Sequence, residues 1–176
     1  MKIIDNFLDD DLATNLKDTM LSSNFPWFYC DNIVSSQLDD RYQFVHIFYK
    51  EGQPVSPFYN YLIDSGFLQN LSIASLIKIK ANLQAKTSTI EKNDLHTDHS
   101  FPNALTAIYY VNANNGYTYF EDDQTIESKS NRIVIFPSDK KHSGTTCTDE
   151  KFRCVLNINY YPMESKLLRE FNDGKN

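Results

Sequence analysis

The spacing of apolar residues predicts two helices in the N-terminal part of the chain. In "DDDLATNLKDTMLSS", Leu12, Leu16 and Met20 recur every four residues behind an acidic first turn, which is typical of an amphipathic helix. A similar spacing in "SPFYNYLIDSGFLQNL" predicts a second helix, which Gly66 bends or ends. Between these segments, "FPWFYCDNIV" and "YQFVHIFYK" are rich in aromatic and β-branched residues and predict strands.

Short strand-like runs dominate from residue 75 onward. They are "SLIKIKANLQ", "ALTAIYYVN", "GYTYFED", "NRIVIFPS" and "RCVLNINYY", and turn sequences such as "ANNG" and "PSDKK" separate them. Several short strands in series favour an antiparallel sandwich or barrel, with the N-terminal helices packed on one sheet. We therefore predict an α+β fold.

The length of the chain fits one domain. Its 176 residues are 41% hydrophobic and 14% aromatic, which is enough for one substantial core. We expect a single domain over 1–176, with an N-terminal support at 1–74 and a β-rich catalytic part at 75–163. The polar tail "EFNDGKN" is expected to fray.

Charge and cysteine content limit the binding partners and the cellular compartment that we expect for the chain. The formal net charge of −6 provides no basic field for nucleic acid, so we expect none as a partner. Three cysteines without C-x-x-C spacing, and an N-terminus without a secretory pattern, indicate a cytoplasmic protein with reduced thiols. No apolar run approaches the roughly 18 residues that a membrane span needs. The sequence leaves the oligomeric state open.

A histidine and an aspartate in "EKNDLHTDHS" have the spacing of metal ligands. In an extended segment His96 and Asp98 point to the same side and can reach one ion, although a solvated loop has the same composition. His142 follows the predicted strand "NRIVIF", and a barrel could bring it beside them. Two histidines and one carboxylate form the facial triad of non-haem Fe(II) oxygenases, which leaves coordination positions open.

The strand "FRCVLNINYY" carries a cation on a polar face. By alternation Arg153, Val155, Asn157 and Asn159 share one side of the strand, which is too polar for an ordinary core. An arginine inside a barrel is costly unless paired, and a bidentate carboxylate is its usual partner. A keto acid with a distal carboxylate would occupy both this arginine and the open metal positions. Cys154 faces the other way and is expected to be a small buried hydrophobe.

The run from His96 to Tyr161 resembles the double-stranded β-helix, a jelly-roll or cupin-like fold, of prolyl 4-hydroxylase-like Fe(II)/2-oxoglutarate oxygenases, particularly short phage-type members. "HTD" matches the H-x-D motif of that family, "AIYYVN" its tyrosine-bearing strand and "NGYTYF" its G-G-x-T-x-F hairpin. "NRIVIFPSDKKH" matches the strand before the distal histidine, and "FRCVLNINYY" the arginine strand. Asn115 replaces the first glycine of the hairpin, and the strand before H-x-D lacks the tyrosine that is often present there.

The resemblance implies a role for each matching side chain. The Fe(II) ligands would be His96, Asp98 and His142. The residues that would hold 2-oxoglutarate are Arg153 and Tyr110, with Asn82 and Asn157 as weaker candidates. Asn159 and His99 are weak candidates for substrate contact, and a surface or outer role for His99 stays open.

The resemblance also implies the activity and leaves the substrate open. A dioxygenase that uses Fe(II), 2-oxoglutarate and O2 would hydroxylate a C–H bond and release succinate and CO2. The substrate would be a peptidyl proline, a free amino acid or another small molecule. Asp98 argues against the halogenase variant, in which a halide takes the place of the carboxylate. The alternatives are a cupin-like isomerase or hydrolase with another divalent ion, and a non-catalytic binding module.

Overall fold

Two α-helices and eleven strands are present in the computed structural model, which describes residues 1–33 and 41–163. The N-terminal elements are β1 (Lys2–Asp5), α1 (Asp10–Met20), β2 (Phe28–Cys30), β3 (Gln43–Lys50), β4 (Gln53–Pro54), α2 (Phe58–Asp64) and a 3-10 helix (Leu68–Leu71). The remaining strands are β5 (Ile73–Ala85), β6 (Leu105–Tyr110), β7 (Tyr117–Phe120), β8 (Thr125–Glu127), β9 (Arg132–Pro137), β10 (His142–Gly144) and β11 (Phe152–Pro162). The tail "EFNDGKN" lies outside the described residues.

The strands form two antiparallel sheets. The larger sheet has the order β1-β9-β6-β11-β5-β3-β2, with β4 paired to β3, and the smaller sheet has the order β10-β7-β8. Long neighbours such as β5 and β11 pair over most of their length. This arrangement fits a double-stranded β-helix with two added helices, so the predicted fold class is confirmed.

The helices cover one face of the larger sheet, as predicted. Leu16 and Met20 of α1 and Leu62 of α2 are buried together with Phe48 of β3 and Ile79 of β5. Burying a side chain of this size stabilises the folded chain by roughly 2 kcal/mol. The second helix ends just before Gly66, whose φ of +74° favours a residue without Cβ.

The opposite face of the larger sheet meets the smaller sheet. Ile108 and Tyr110 of β6, Phe120 of β7 and Phe136 of β9 form a compact apolar cluster there. The neighbouring Tyr109 points to the helical side, where its ring contacts Phe67 at 5.1 Å between centroids. Because successive side chains of β6 point to opposite faces of the sheet, Tyr109 and Tyr110 pack in two different hydrophobic cores.

Some elements differ in length from the sequence prediction. The described residues of the run "FPWFYCDNIV" contribute only the three residues of β2, and Val34 lies outside the described part. Pro26 has no backbone N–H to donate to a neighbouring strand. The next residue, Trp27, donates its indole N–H to the Met20 carbonyl at 3.1 Å. The division between the N-terminal support and the catalytic part, placed after residue 74, falls inside β5, and β1, β2 and β3 join the same sheet as the C-terminal strands. Over the described ranges, neither helix is long and apolar enough to cross a bilayer.

Candidate metal centre

His96, Asp98 and His142 converge on one point at the edge of the space between the sheets. Their candidate ligand atoms all lie within 4.8 Å of one another. Oδ1 of Asp98 is 3.9 Å from Nε2 of His96, and Oδ2 of Asp98 is 3.8 Å from Nε2 of His142. Two ligand atoms each about 2.1 Å from one ion lie at most about 4.2 Å apart, so each imidazole nitrogen is within that limit of one carboxylate oxygen. Two imidazoles and one carboxylate suit a divalent transition metal.

Backbone pairing brings the two histidines together. The His96 N–H donates to the His142 carbonyl at 3.0 Å, and the His142 N–H donates to the His96 carbonyl at 2.9 Å. Nδ1 of His142 lies 3.0 Å from the Lys140 carbonyl, and Nδ1 of His96 lies 3.3 Å from the Asp94 carbonyl. Because a carbonyl only accepts, each Nδ1 carries the proton, and each Nε2 keeps a lone pair for a metal.

Three side chains from the larger sheet hold the Asp98 carboxylate. The Thr106 hydroxyl donates to Oδ2 at 2.8 Å, and the Asn159 amide donates to the same oxygen at 3.0 Å. The Asn157 amide is 3.1 Å from Oδ2 and 3.3 Å from Oδ1. Oδ2 is therefore occupied by donors, and Oδ1 is the oxygen with more lone-pair capacity left for a metal.

The protonation of these groups favours metal binding. Burial works against ionisation of Asp98, but His142, the Thr106 hydroxyl and the Asn157 amide together hold its pKa below the ordinary value. Burial also lowers the pKa of His142, with a contribution from His96. Asp98 is thus ionised and His142 neutral near pH 7, which are the forms that bind metal.

Arg153 lies in the same cavity and is almost fully buried, with 4% of its surface exposed. Its Nε donates to the Ser128 hydroxyl at 3.0 Å, and its Nη2 donates to the Thr118 hydroxyl at 3.1 Å. Both acceptors are neutral, and no acidic side chain in the described ranges forms an ion pair with this guanidinium. The charge is retained because arginine is not deprotonated in proteins. The cavity therefore contains a buried cation that has no ion-pair partner among the described residues.

Two glycines make room for the arginine side chain. A Cβ at Gly144 would lie 2.9 Å from Nη1 of Arg153, and a Cβ at Gly116 would lie 2.8 Å from its Cδ. A Cβ at Gly116 would also approach the Thr146 carbonyl at 2.6 Å. The guanidinium thus passes through a slot that a side chain at either position would narrow.

The cavity between the triad and Arg153 has a volume of about 70 Å³. Buried side-chain atoms without a hydrogen-bond partner, within the described part of the chain, are concentrated there. Four of the five belong to cavity residues: Asn82 Oδ1, Gln84 Nε2, Ser143 Oγ and Asn157 Oδ1. Since buried polar groups are nearly always paired, this clustering indicates that water or a polar ligand occupies the cavity.

Comparison with known proteins places this geometry in a known fold. No protein-family model and no curated protein matches the sequence. Among solved structures, the chain is similar to a 2OG-Fe(II) oxygenase family oxidoreductase from Burkholderia pseudomallei, with a TM-score of 0.64, 9% identity, and coverage of 90% of this chain and 84% of that one. It is also similar to HygX from Streptomyces hygroscopicus, solved with nickel and 2-oxoglutarate bound (TM-score 0.58, 10% identity, coverage 92% and 82%).

A third similar structure is a prolyl hydroxylase from Trichoplax adhaerens in complex with a peptide fragment of hypoxia-inducible factor. Its TM-score is 0.55 at 16% identity, with coverage of 94% of this chain and 87% of that one. The chain has the fold of the 2OG-Fe(II) oxygenases. At these identities the likeness establishes the oxygenase fold, and residue roles have to be argued from the geometry of this chain.

The weaker candidates occupy different places in the oxygenase fold. Asn82 and Asn157 line the cavity. Asn159 is buried behind the triad, where it contacts Asp98 and Thr106. The His99 ring stacks on Phe101 at 5.1 Å between centroids and is not part of the cavity wall. Tyr110 does not line the cavity, but its hydroxyl donates at 2.8 Å to Thr118, which does.

Several polar residues that line the cavity or contact Asp98 or Arg153 were not singled out from the sequence. They are Thr106, Thr118, Ser128, Gln84 and Lys80. The signal that could have found most of them is alternation: Lys80 and Gln84 share a face of β5 with Asn82, as Thr106 shares one of β6 with Tyr110. By contrast, Ser128 follows the short strand β8 and contacts Arg153 only through the folding of the smaller sheet.

Proposed function

We propose that the protein is an Fe(II)- and 2-oxoglutarate-dependent dioxygenase that hydroxylates a C–H bond of a small-molecule or peptide substrate. The observation that carries the proposal is the buried guanidinium of Arg153. It faces the same cavity as the triad and has only neutral partners among the described residues. A metal site alone, as in a cupin-like hydrolase or isomerase, gives no reason for such a cation.

The cation supports a ligand with a distal carboxylate. A buried charge without a counter-ion costs several kcal/mol, so it persists where a ligand supplies the opposite charge. A guanidinium is suited to a carboxylate because its planar fork donates two parallel hydrogen bonds. Nη1 of Arg153 makes no hydrogen bond to a described residue and is available for that contact.

The triad residues would hold the metal. His96, Asp98 and His142 would bind Fe(II) through the two Nε2 atoms and Oδ1, which leaves half of an octahedral shell for other ligands. When bound, Fe(II), 2-oxoglutarate and O2 supply the oxidising chemistry, in which 2-oxoglutarate is decarboxylated to succinate and CO2.

Residues in the cavity wall and behind it position these ligands and limit water. Thr106, Asn157 and Asn159 fix the rotation of the Asp98 carboxylate, as outer partners of metal ligands usually do. Ile108 and Val155 form an apolar part of the wall, which lowers the local dielectric and excludes water from the reacting carbon. The reaction needs no general base from the protein.

Binding of matched ligands tests this proposal. Calorimetry with Ni(II), which keeps the complex inert to O2, would compare 2-oxoglutarate with glutarate and pyruvate. Glutarate lacks the keto oxygen that chelates a metal, and pyruvate lacks the distal carboxylate that Arg153 would bind. We expect 2-oxoglutarate to bind at least about 100-fold more tightly than either, and Arg153→Met to remove its advantage over pyruvate. Equal binding of pyruvate and 2-oxoglutarate by the unaltered protein would overturn the proposal.

A further inference from the structure

Lys80 places a second cation in the wall of the cavity. Lys80, Asn82 and Gln84 alternate along β5 and line the cavity, whereas Lys78 on the same face does not. In the ladder between β5 and β11, Lys80 lies opposite Asn157, one of the residues that hold Asp98. The ammonium group therefore belongs to the metal end of the cavity.

No described residue neutralises this ammonium group. Lys80 forms neither an ion pair nor a hydrogen bond with any residue in the described ranges. Asp98 attracts it electrostatically, but Oδ2 of Asp98 accepts from Thr106, Asn157 and Asn159, and Oδ1 is the oxygen assigned to the metal. Burial lowers the pKa of Lys80, which is the effect expected where a charge is withdrawn from water without a partner.

The cosubstrate does not account for Lys80. Arg153 lies opposite Gln84 in the ladder, four positions along β5 from Lys80, so their backbone positions are roughly 13 Å apart along the strand. In the proposed function, the distal carboxylate of 2-oxoglutarate neutralises Arg153, and its other carboxylate and Asp98 together offset the two charges of the divalent ion. The positive charge of Lys80 is left over.

The side chain of Asn157 sets a second requirement for the substrate. Its amide nitrogen faces the Asp98 carboxylate, which fixes the orientation of the group and directs Oδ1 away from Asp98. This oxygen is buried and has no donor among the residues that the structure describes. The oxygens of 2-oxoglutarate only accept hydrogen bonds, so they cannot satisfy it. A substrate that offers an N–H beside its negative charge would satisfy both Asn157 and Lys80.

We propose that Lys80 binds the carboxylate of the substrate and that the substrate is a small amino-carboxylate of the free α-amino acid class, with its amine directed to Asn157. This inference rests on the proposed dioxygenase function. It selects among the substrates that the activity would allow, since an internal prolyl residue of a peptide has neither a free carboxylate nor an N–H.

Succinate formation with matched pairs tests the inference. The common free amino acids would each be compared with the corresponding carboxamide and with the residue capped at both ends. We expect at least one free amino acid to raise succinate formation, and its carboxamide to have a KM at least about 30-fold higher. Calorimetry on the Ni(II) and 2-oxoglutarate complex gives the same comparison without turnover.

Variants of β5 separate Lys80 from the cosubstrate site. Lys80→Gln is expected to raise the KM and Kd of the amino acid about 30-fold and to change the Kd of 2-oxoglutarate less than about twofold. Lys80→Arg keeps the charge and is expected to retain most of the affinity, which controls for misfolding. Lys78→Gln is the matched control on the same strand, and we expect it to bind normally.

Three results would overturn the inference. They are turnover with no free amino acid, equal turnover with acid and carboxamide, and a loss of 2-oxoglutarate affinity in Lys80→Gln as large as in Arg153→Met. Each leaves the dioxygenase proposal standing if the unaltered protein binds 2-oxoglutarate. Failure of that cosubstrate to bind the unaltered protein would instead overturn the proposed function.

Discussion

The Arg153 guanidinium donates a hydrogen bond of 3.1 Å to the hydroxyl oxygen of Thr118. The same oxygen accepts a bond of 2.8 Å from Tyr110, so both of its lone pairs are used. The hydroxyl proton of Thr118 is then left to donate, and Thr118 lines the cavity. A carboxylate bound to Arg153 would meet Thr118 first, with Tyr110 acting through it.

We predict that Thr118→Val weakens 2-oxoglutarate binding more than Tyr110→Phe. Removal of the Thr118 hydroxyl takes away a direct donor and leaves Tyr110 and Arg153 each short of an acceptor, which should cost about 2 kcal/mol, or 30-fold in Kd. Tyr110→Phe removes one indirect bond and should cost less than tenfold. Calorimetry measures both, and a larger loss in Tyr110→Phe would contradict this order.

We predict that Gly144→Ala lowers the affinity for 2-oxoglutarate and leaves metal binding nearly unchanged. The added Cβ would lie 2.9 Å from Nη1 of Arg153, which is closer than real Cβ contacts, so the guanidinium must shift. A displaced fork loses one of its two hydrogen bonds to the ligand, or about tenfold in affinity. Metal affinity measured with Ni(II) on the same sample is the control, and unchanged 2-oxoglutarate binding would refute the role of the slot.

We predict that Asn159→Ala weakens metal binding 10- to 100-fold. The Asn159 amide donates to Asp98 and to Thr106, and loss of an outer partner of a metal ligand typically has this effect. Asn15→Ala, an exposed position on α1, is the surface control and should not change the affinity. Competition titration against a chelator measures the change. If Asn159 contacted substrate alone, metal affinity would stay constant.

We predict that acidification below about pH 6.5 destabilises the metal-free protein. Burial lowers the pKa of both His46 and His142, so the unfolded chain binds protons more tightly than the folded chain. The contribution of the two neutral histidines to the free energy of unfolding is fully present above their unfolded-state pKa of about 6.5. It is lost as the pH falls through their pKa values in the folded chain, at up to about 1.4 kcal/mol per pH unit for each histidine. Urea unfolding between pH 7.5 and 5.5 measures the slope.

The His142→Gln variant controls this pH dependence. It removes one of the two titrating groups, so the fall in unfolding free energy should be reduced by about half. Bound metal should also suppress the contribution of His142, because the ligated imidazole cannot take up a proton. A metal-free protein whose stability does not change over this range would contradict the pKa assignments.

Alternation along single strands accounts for much of what the sequence predicted. On β11 it placed Arg153, Val155 and Asn157 on one face, and all three line the cavity. On β6 it separated Tyr109 from Tyr110, which lie in different apolar clusters. These predictions succeed because side chains on a strand take opposite sides in turn, whatever the strand pairs with.

Features that depend on distant pairing were not predictable from one sequence. The mutual backbone bonds of His96 and His142 join segments 46 positions apart, and β10 has only three residues. Lys80 reads as an ordinary alternating lysine until the fold shows which face of β5 borders the cavity. The resemblance implies that Tyr110 contacts the cosubstrate directly. In the fold the Tyr110 hydroxyl donates to Thr118, and the sequence alone does not show that these two side chains meet.

The most direct test of the dioxygenase proposal is an anaerobic titration with Fe(II) and 2-oxoglutarate, followed by visible absorption. Chelation of Fe(II) by the keto acid produces a metal-to-ligand charge-transfer band, which neither component gives alone. We predict the band in the unaltered protein and its loss in His142→Ala. A protein that binds Fe(II) but shows no band with 2-oxoglutarate would contradict the account, as would an undiminished band in His142→Ala.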